Sequence, residues 1–369
     1  MNSHQARNER TVMEEPFEHL DPRDQEALLE ELRDIMREPD EKVAAERRRR
    51  LATKYRESHP DIAAWLSDSP LPGETRETPL LERLPVIPER ANALKGEVVL
   101  VKYGGNAMVD DAQKQRVIAD VCALKNLGAL PVVVHGGGPA ISELLGDVGV
   151  KSRFVGGHRK TDRTTMSYVE MALSGKVNSE IVKLIGFNGY KAAGFSGKDG
   201  NLVTAMKRIH RVREGKKLRR TDLGLVGDVK SVNPDLVHVL LKADYIPVIA
   251  PVGLGEDLED YNINADMFAG HMAVALNAVA YVVLTDVDGI FVDTENPDTL
   301  ITEFSDHAAR EELGRIVQGG MIPKVESCLV ALKGGVREAH IVNGTSAHSM
   351  LLILLTQQGK GTTIHSTHA

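Results

Sequence analysis

Cysteine is almost missing from this chain, with two residues in 369. Cys122 and Cys328 show no metal-ligand spacing, which excludes a disulfide framework and a zinc knuckle, and both read as reduced core thiols. No apolar run approaches the length of a membrane span. An excess of positive charge is missing too: 45 basic side chains face 52 acidic ones, a net charge of −7. That balance leaves no footprint for nucleic acid or an anionic membrane surface. The first residues are too rich in Asp and Glu for a targeting leader, so a cytoplasmic protein is expected. No internal repeat is strong enough to imply a solenoid.

What the chain does have is buried-strand patterns that end in glycine. Val98-Val99-Leu100-Val101 runs into Lys102 and then Tyr103-Gly104-Gly105-Asn106. Such a run reads as a strand covered on both faces that stops at a tight turn. Ligands gather at the carboxyl ends of strands in open α/β sheets, which puts Lys102 at a crevice. Pro131-Val132-Val133-Val134 repeats the design and opens into His135-Gly136-Gly137-Gly138-Pro139 before a helical pattern. Backbone N–H groups at such a helix start favour phosphate or carboxylate.

With 42% hydrophobic residues the chain can bury a large core, and the alternation of strand and helix patterns argues for α/β. Residues 1–72 form a charged helical extension. Asp21-Pro22 starts one helix there, and a second is expected at about 41–55, its Arg47–Arg50 run forming a solvated face. Residues 73–96 hold a linker and a short apolar helix at about 79–87, and 97–369 form the main domain. Within that domain a long helix is expected over 164–185, hairpins over 202–232 and a last core strand over 339–342. Asn262 falls in a loop, and Gly319-Gly320-Met321-Ile322-Pro323-Lys324 precedes a helix starting at 325.

The polar residues at strand ends and helix starts are Lys102, Arg159, Asn262, Asp266 and Lys324. Two lysines beside glycine turns suit phosphoryl transfer, where catalysis is mostly positioning and stabilisation of negative charge. There is no GxxxxGK[ST] run, so nucleotide would be bound by another solution. No general base stands out, which fits a carboxylate acceptor, ionised at neutral pH. Arg159 could grip a second carboxylate of the same substrate. Asp266 suits two compatible roles, a helix N-cap and an organiser that keeps both lysines charged.

Lys-Tyr-Gly-Gly-Asn-Ala-Met at 102–108, His-Gly-Gly-Gly-Pro at 135–139, Asn-Ile-Asn-Ala-Asp at 262–266 and Gly-Gly-Met-Ile-Pro-Lys-Val at 319–325 resemble the motifs of the amino acid kinase family, in the branch that acts on N-acetyl-L-glutamate. The resemblance implies a three-layer αβα sandwich around an open, mostly parallel eight-stranded sheet. Residues 97–250 would form the acyl-amino-acid lobe and 251–369 the nucleotide lobe. It implies ATP-dependent phosphorylation of the side-chain carboxylate of N-acetyl-L-glutamate, in arginine biosynthesis. Lys102, Lys324 and Asp266 would be catalytic, and Gly137, Gly138, Arg159 and Asn262 would hold the substrate. Gly104, Gly105, Asp286, Gly289, Phe291 and Met321 would line the nucleotide site. Mg²⁺ would be carried by the ATP phosphates, with no residue assigned as a metal ligand. A homo-oligomer is implied, a dimer or, through the short helix at 79–87, a hexamer.

Three positions depart from the family pattern. His158 precedes the substrate arginine where Leu is usual, and Val86 replaces a Tyr. Ile353 stands where arginine-inhibited members carry Glu, so weak or absent arginine sensitivity is expected. The competing readings are a related kinase acting on another carboxylate and a non-catalytic arginine-sensing homologue.

Overall fold

The computed structural model describes residues 20–36, 41–56, 58–60, 62, 63, 66, 81, 84–108, 110–214 and 217–367. The chain divides into two compact units, Met1–Glu77 with Phe187–Gly189, and Thr78–Gly186 with Tyr190–Ala369. In the first unit α1 (Pro22–Met36) and α2 (Glu41–Tyr55) are the two expected helices. Asp21 accepts a hydrogen bond from the Arg23 amide at 3.0 Å, and Leu28, Leu29, Leu32 and Ile35 bury with Leu51, Ala52 and Tyr55. Of the run expected to form a solvated face, Arg47, Arg49 and Arg50 are exposed, while Arg48 is half-buried. The expected linker at 68–79 lies outside the described residues.

Of the short helix expected at about 79–87, Leu81 is helical. Leu84–Ile87 is not helical, and α3 (Pro88–Leu94) begins just beyond it, with Pro88 at the first helical position. Pro85 disfavours helical backbone at Leu84, and Pro88 does the same to Ile87 while starting the helix that follows. Leu80, Glu82 and Arg83 lie outside the described residues, but Leu81, Leu84 and Val86 pack against this unit's own core. All three are half-buried there.

The elements then run β1 (Val98–Tyr103), α4 (Asp111–Asn126), β2 (Leu130–His135), α5 (Gly138–Asp147), β3 (Phe154–Val155), β4 (His158–Arg159) and α6 (Arg163–Glu170). A π-helical segment, Met171–Val177, joins α6 to α7 (Asn178–Phe187), so the expected long helix is continuous but underwound in its middle. Next come β5 (Ala192–Ser196), β6 (Val203–Lys207), β7 (His210–Glu214), β8 (Lys217–Thr221), β9 (Val226–Val232), α8 (Asp235–Lys242) and β10 (Ile246–Ala250). The last third holds β11 (Val252–Gly255), β12 (Asp260–Ile263), α9 (Ala265–Ala275), β13 (Ala280–Thr285), β14 (Ile290–Phe291), β15 (Leu300–Ile301), β16 (Glu303–Ser305) and α10 (Asp306–Glu311). It closes with α11 (Met321–Lys333), β17 (Glu338–Asn343), α12 (Ser349–Leu355) and β18 (Thr362–His365).

Eight strands form one sheet in the order β16-β18-β17-β13-β1-β2-β10-β5, parallel throughout except where β17 meets β18. The expected last strand at 339–342 is thus followed by one more, β18. Alternation along β1 builds three layers: Leu100 faces the core under α9 and α11, while Val99 and Val101 face the core under α4, α7 and α12. Lys102 shares the parity of Leu100 and emerges on the α9 and α11 side, where its partners are found. Strands β11, β12, β9 and β6 close a small ring beside the sheet, and β7 with β8 forms a hairpin. Asn262 therefore lies on a strand, β12, and not in a loop.

Cys122 on α4 and Cys328 on α11 are free and buried, and burial pushes the Cys122 thiol up to about 12. Ile353 is buried in α12, and its carbonyl accepts a hydrogen bond from Arg90 at 3.2 Å. Among the described residues no helix is long and apolar enough to cross a membrane.

Candidate active site

The centre of the site is a buried carboxylate between two lysines. Lys102 stands at the carboxyl end of β1 and Asp266 in the first turn of α9, each with 5% of its surface exposed. The Lys102 ammonium lies 2.9 Å from Oδ1 of Asp266, and Lys324, in the first turn of α11, lies 3.4 Å from Oδ2. Helix α11 begins at Met321, so Lys324 belongs to the helix and does not precede it. Burial acts to raise the Asp266 carboxyl, but the charges of Lys102 and Lys324 outweigh it and hold the group below its ordinary value. Burial pushes the Lys102 ammonium down, with Asp266 opposing the shift and Lys324 adding to it.

Asp266 does not cap its own helix. Asn264 is the N-cap, its side-chain oxygen accepting from the amides of Asp266 at 3.0 Å and Met267 at 3.1 Å. The Asp266 carboxylate is thereby left to the lysines. Sequence reading missed this division of labour, although Asn just before a helical pattern is an N-cap signal.

Close helix packing sets the distance between Asp266 and Lys324. A Cβ at Gly270 of α9 would stand 2.6 Å from the Ser327 carbonyl of α11, so only glycine allows this approach. Tyr281 of β13 donates from its hydroxyl to the Asp266 carbonyl at 3.1 Å and lies 3.1 Å from Oγ of Ser327. Ser327 in turn donates to the Lys324 carbonyl at 2.7 Å. Tyr281 and Ser327 thus link the backbones that carry Asp266 and Lys324, and nothing in their sequence setting marks them out.

The two glycine turns meet beside Lys102. A Cβ at Gly104 would come within 3.0 Å of the Lys102 ammonium, and one at Gly136 within 3.5 Å of the Gly104 Cα. Gly105 takes φ +75°, in the region that favours glycine. At α5, Gly137 is the N-cap and offers no side chain, and a Cβ there would strike Leu173 of the π-helical segment at 2.5 Å. Among the described residues the Gly137 and Gly138 amides find no acceptor, so the start of α5 presents free donors.

Arg159 is 7% exposed and is bound into the same helix start. It donates to the Gly138 carbonyl at 3.1 Å, to Oγ of Ser142 at 2.9 Å and to Oγ of Ser152, and its guanidinium lies 4.7 Å from the centre of the Phe154 ring. Burial lowers its pKa from the ordinary arginine value. Asn262 donates to Oγ1 of the buried Thr161 at 3.5 Å, two residues beyond Arg159.

The residues expected to line a nucleotide are arranged as follows. Asp286 follows β13 and adds a raising influence on Lys102, while Asp288 accepts from Nδ2 of Asn343 at 2.8 Å. Gly289 takes φ +153°, and a Cβ there would stand 2.6 Å from Oγ1 of Thr362. Phe291 pairs with Leu300 in the β14–β15 ladder, and Met321 is half-buried against the core.

A sequence model of the amino acid kinase family matches residues 97–343. The chain belongs to the amino acid kinase family. Among the similar members, the acetylglutamate kinase of Heliobacterium modesticaldum is 50% identical over 288 residues, 77% of this chain and 96% of its own length. The acetylglutamate kinases of Pelotomaculum thermopropionicum and Methanocaldococcus jannaschii are 47% and 44% identical, again over 77% of this chain. Among solved structures, the N-acetylglutamate synthase of Neisseria gonorrhoeae, complexed with coenzyme A and N-acetyl-glutamate, matches 75% of the chain with TM-score 0.63 at 26% identity. The match spans 61% of that synthase. Giardia lamblia carbamate kinase bound to AMP-PNP, at TM-score 0.51 and 16% identity, shares the fold. The eight-stranded, mostly parallel sheet expected for an amino acid kinase is the sheet observed.

Proposed function

We propose that this chain transfers the γ-phosphoryl group of ATP to the side-chain carboxylate of N-acetyl-L-glutamate, giving N-acetyl-L-glutamate 5-phosphate in arginine biosynthesis. The observation that carries the reading is the buried Lys102–Asp266–Lys324 cluster beside two glycine turns, in a chain 42–50% identical to acetylglutamate kinases. A carboxylate oxygen of the acceptor attacks the γ-phosphorus as the bond to the ADP oxygen breaks. The attacking group is already ionised, so no base is required. Negative charge spreads over the transferring oxygens, and the ammonium groups of Lys102 and Lys324 stabilise it. Asp266 opposes the effect of burial on Lys102 and, in contact with both ammonium groups, fixes their separation.

Gly137, Gly138, Arg159 and Asn262 would hold the N-acetylglutamate, with Arg159 on the carboxylate that does not react. Gly104, Gly105, Asp286, Gly289, Phe291 and Met321 would line the nucleotide. The cationic pair and the free amides of α5 suit phosphate and carboxylate oxygens, and Mg²⁺ bound to the nucleotide would neutralise part of the phosphate charge. The activity is expected in the cytoplasm, where the two buried thiols stay reduced, and a second copy of the chain is the expected protein partner.

An acceptor panel tests the reading. The full chain with ATP and Mg²⁺ is trapped with hydroxylamine, which turns acyl phosphates into hydroxamates. N-acetylglutamate should exceed free glutamate in kcat/KM by at least about tenfold, the ratio given by about 1.4 kcal/mol of discrimination. The reason is that free glutamate brings an ammonium group, a further cation beside Lys102, Lys324 and Arg159, where N-acetylglutamate has an uncharged amide. Equal rates would sink the assignment. In the same assay Arg159→Ala should raise KM for N-acetylglutamate with little change in kcat, because Arg159 would touch a group that does not react. An unchanged KM would contradict the substrate pose.

A further inference from the structure

His135, the last residue of β2, is fully buried at 0% exposure, yet both of its ring nitrogens have partners. Nδ1 lies 2.8 Å from the carbonyl oxygen of Gly136, and Nε2 lies 3.0 Å from Nδ2 of Asn178, the first residue of α7. The same Nδ2 lies 3.0 Å from the carbonyl oxygen of Val248 in β10. A carbonyl only accepts, so the Asn178 atom facing Val248 is the NH₂ group. An NH₂ group only donates, so Nε2 of His135 accepts and the ring proton sits on Nδ1, where it donates to Gly136.

This bond has a consequence one atom further on. The carbonyl of Gly136 and the N–H of Gly137 belong to one planar trans peptide and point in opposite directions. The preceding peptide is pinned as well, since the Gly136 amide donates to the Tyr103 carbonyl at 2.7 Å. Fixing the Gly136 carbonyl therefore fixes the direction of the Gly137 N–H, one of the donors without an acceptor at the start of α5.

We propose that His135, with its tautomer set by Asn178, is a positioning residue: through the Gly136–Gly137 peptide it aims the Gly137 N–H at an anionic oxygen of the substrate. The proposal rests on the functional reading above, which gives Gly137 to N-acetylglutamate. Burial pushes the imidazole down to about 4, so the neutral ring persists across the working range.

The test has two arms. In the wild-type full chain, ¹⁵N NMR of the imidazoles should show His135 protonated on Nδ1 alone from about pH 6 to about pH 9, well above its titration. An Nε2–H ring or an imidazolium would overturn the proposal, and this arm needs no variant to fold. In the second arm His135→Phe keeps the ring volume and removes the donor. KM for N-acetylglutamate should rise about tenfold, the loss expected for one misaimed hydrogen bond, while KM for ATP stays within about twofold. Asn178→Asp offers Nε2 an acceptor and draws the proton off Nδ1, so its KM for N-acetylglutamate should climb with pH where the wild type is flat. If the wild type forms hydroxamate normally and both variants keep its KM values and pH profile, His135 is only a packed core residue and the proposal falls while the functional reading stands. If the wild type forms none, the functional reading falls and takes the proposal with it.

Discussion

Lys102→Ala and Lys324→Ala should each lower kcat by at least about a hundredfold, the scale for losing one preorganised donor to transition-state charge. The two lysines reach the same carboxylate from different elements, at 2.9 Å and 3.4 Å, so neither replaces the other by a side-chain rotation. Lys102 is the more buried, and arginine would not rescue it, because the ammonium already fills the space above Gly104. Its burial also sets a pH signature. An ammonium whose pKa is pushed down from 10.5 loses its proton earlier as pH rises, so the alkaline limb of kcat/KM should fall below 10.5. Steady-state hydroxamate rates on variants that keep the wild-type circular dichroism spectrum decide the matter. A loss of less than about tenfold in either variant would remove that lysine from the transition state.

Asp266→Asn should be more damaging still, by about a thousandfold in kcat. The amide keeps the shape of the carboxylate and removes its charge, leaving two ammonium groups near each other with their shared counter-charge gone. Removing one partner of a buried pair costs about 3–5 kcal/mol, so the denaturant midpoint should drop as well. With the opposing charge absent, the Lys102 ammonium loses what offsets its burial, and the alkaline limb should move to lower pH. Activity of Asp266→Asn would then recover in part as pH is lowered. A variant with kcat within about tenfold of wild type and an unmoved limb would mean that Asp266 does no more than favour the start of its helix.

The buried strands and glycine turns were legible because their signals are local. Val98 to Val101 and Val132 to Val134 are apolar whichever face they present, and the glycines follow directly. Lys102, Asp266 and Lys324 could be named, but their contact could not, since it depends on α9 and α11 approaching at Gly270. Asn264 took the capping role open to Asp266, two residues away, because its side chain reaches the amides at the start of α9. The apolar residues before β1 carried helical spacing, and Leu81 is helical, yet Pro85 and Pro88 keep Leu84–Ile87 out of the helix, with Leu84 and Val86 half-buried against the core. The bonds of His135 link Gly136 to α7 and β10, partners far apart in sequence, and no pattern in the chain announces them.

The central claim is that Lys102 and Lys324 stabilise a phosphoryl group moving to N-acetylglutamate. The most direct measurement is a crystal structure of the full chain with ADP, Mg²⁺, tetrafluoroaluminate and N-acetylglutamate. The expected result places fluorides about 2.7–3.1 Å from both lysine Nζ atoms, with the side-chain carboxylate of N-acetylglutamate in line on the far side of the aluminium from ADP. A fluoroaluminate bound with neither ammonium in contact, or an acceptor carboxylate out of line with the ADP oxygen, would contradict it.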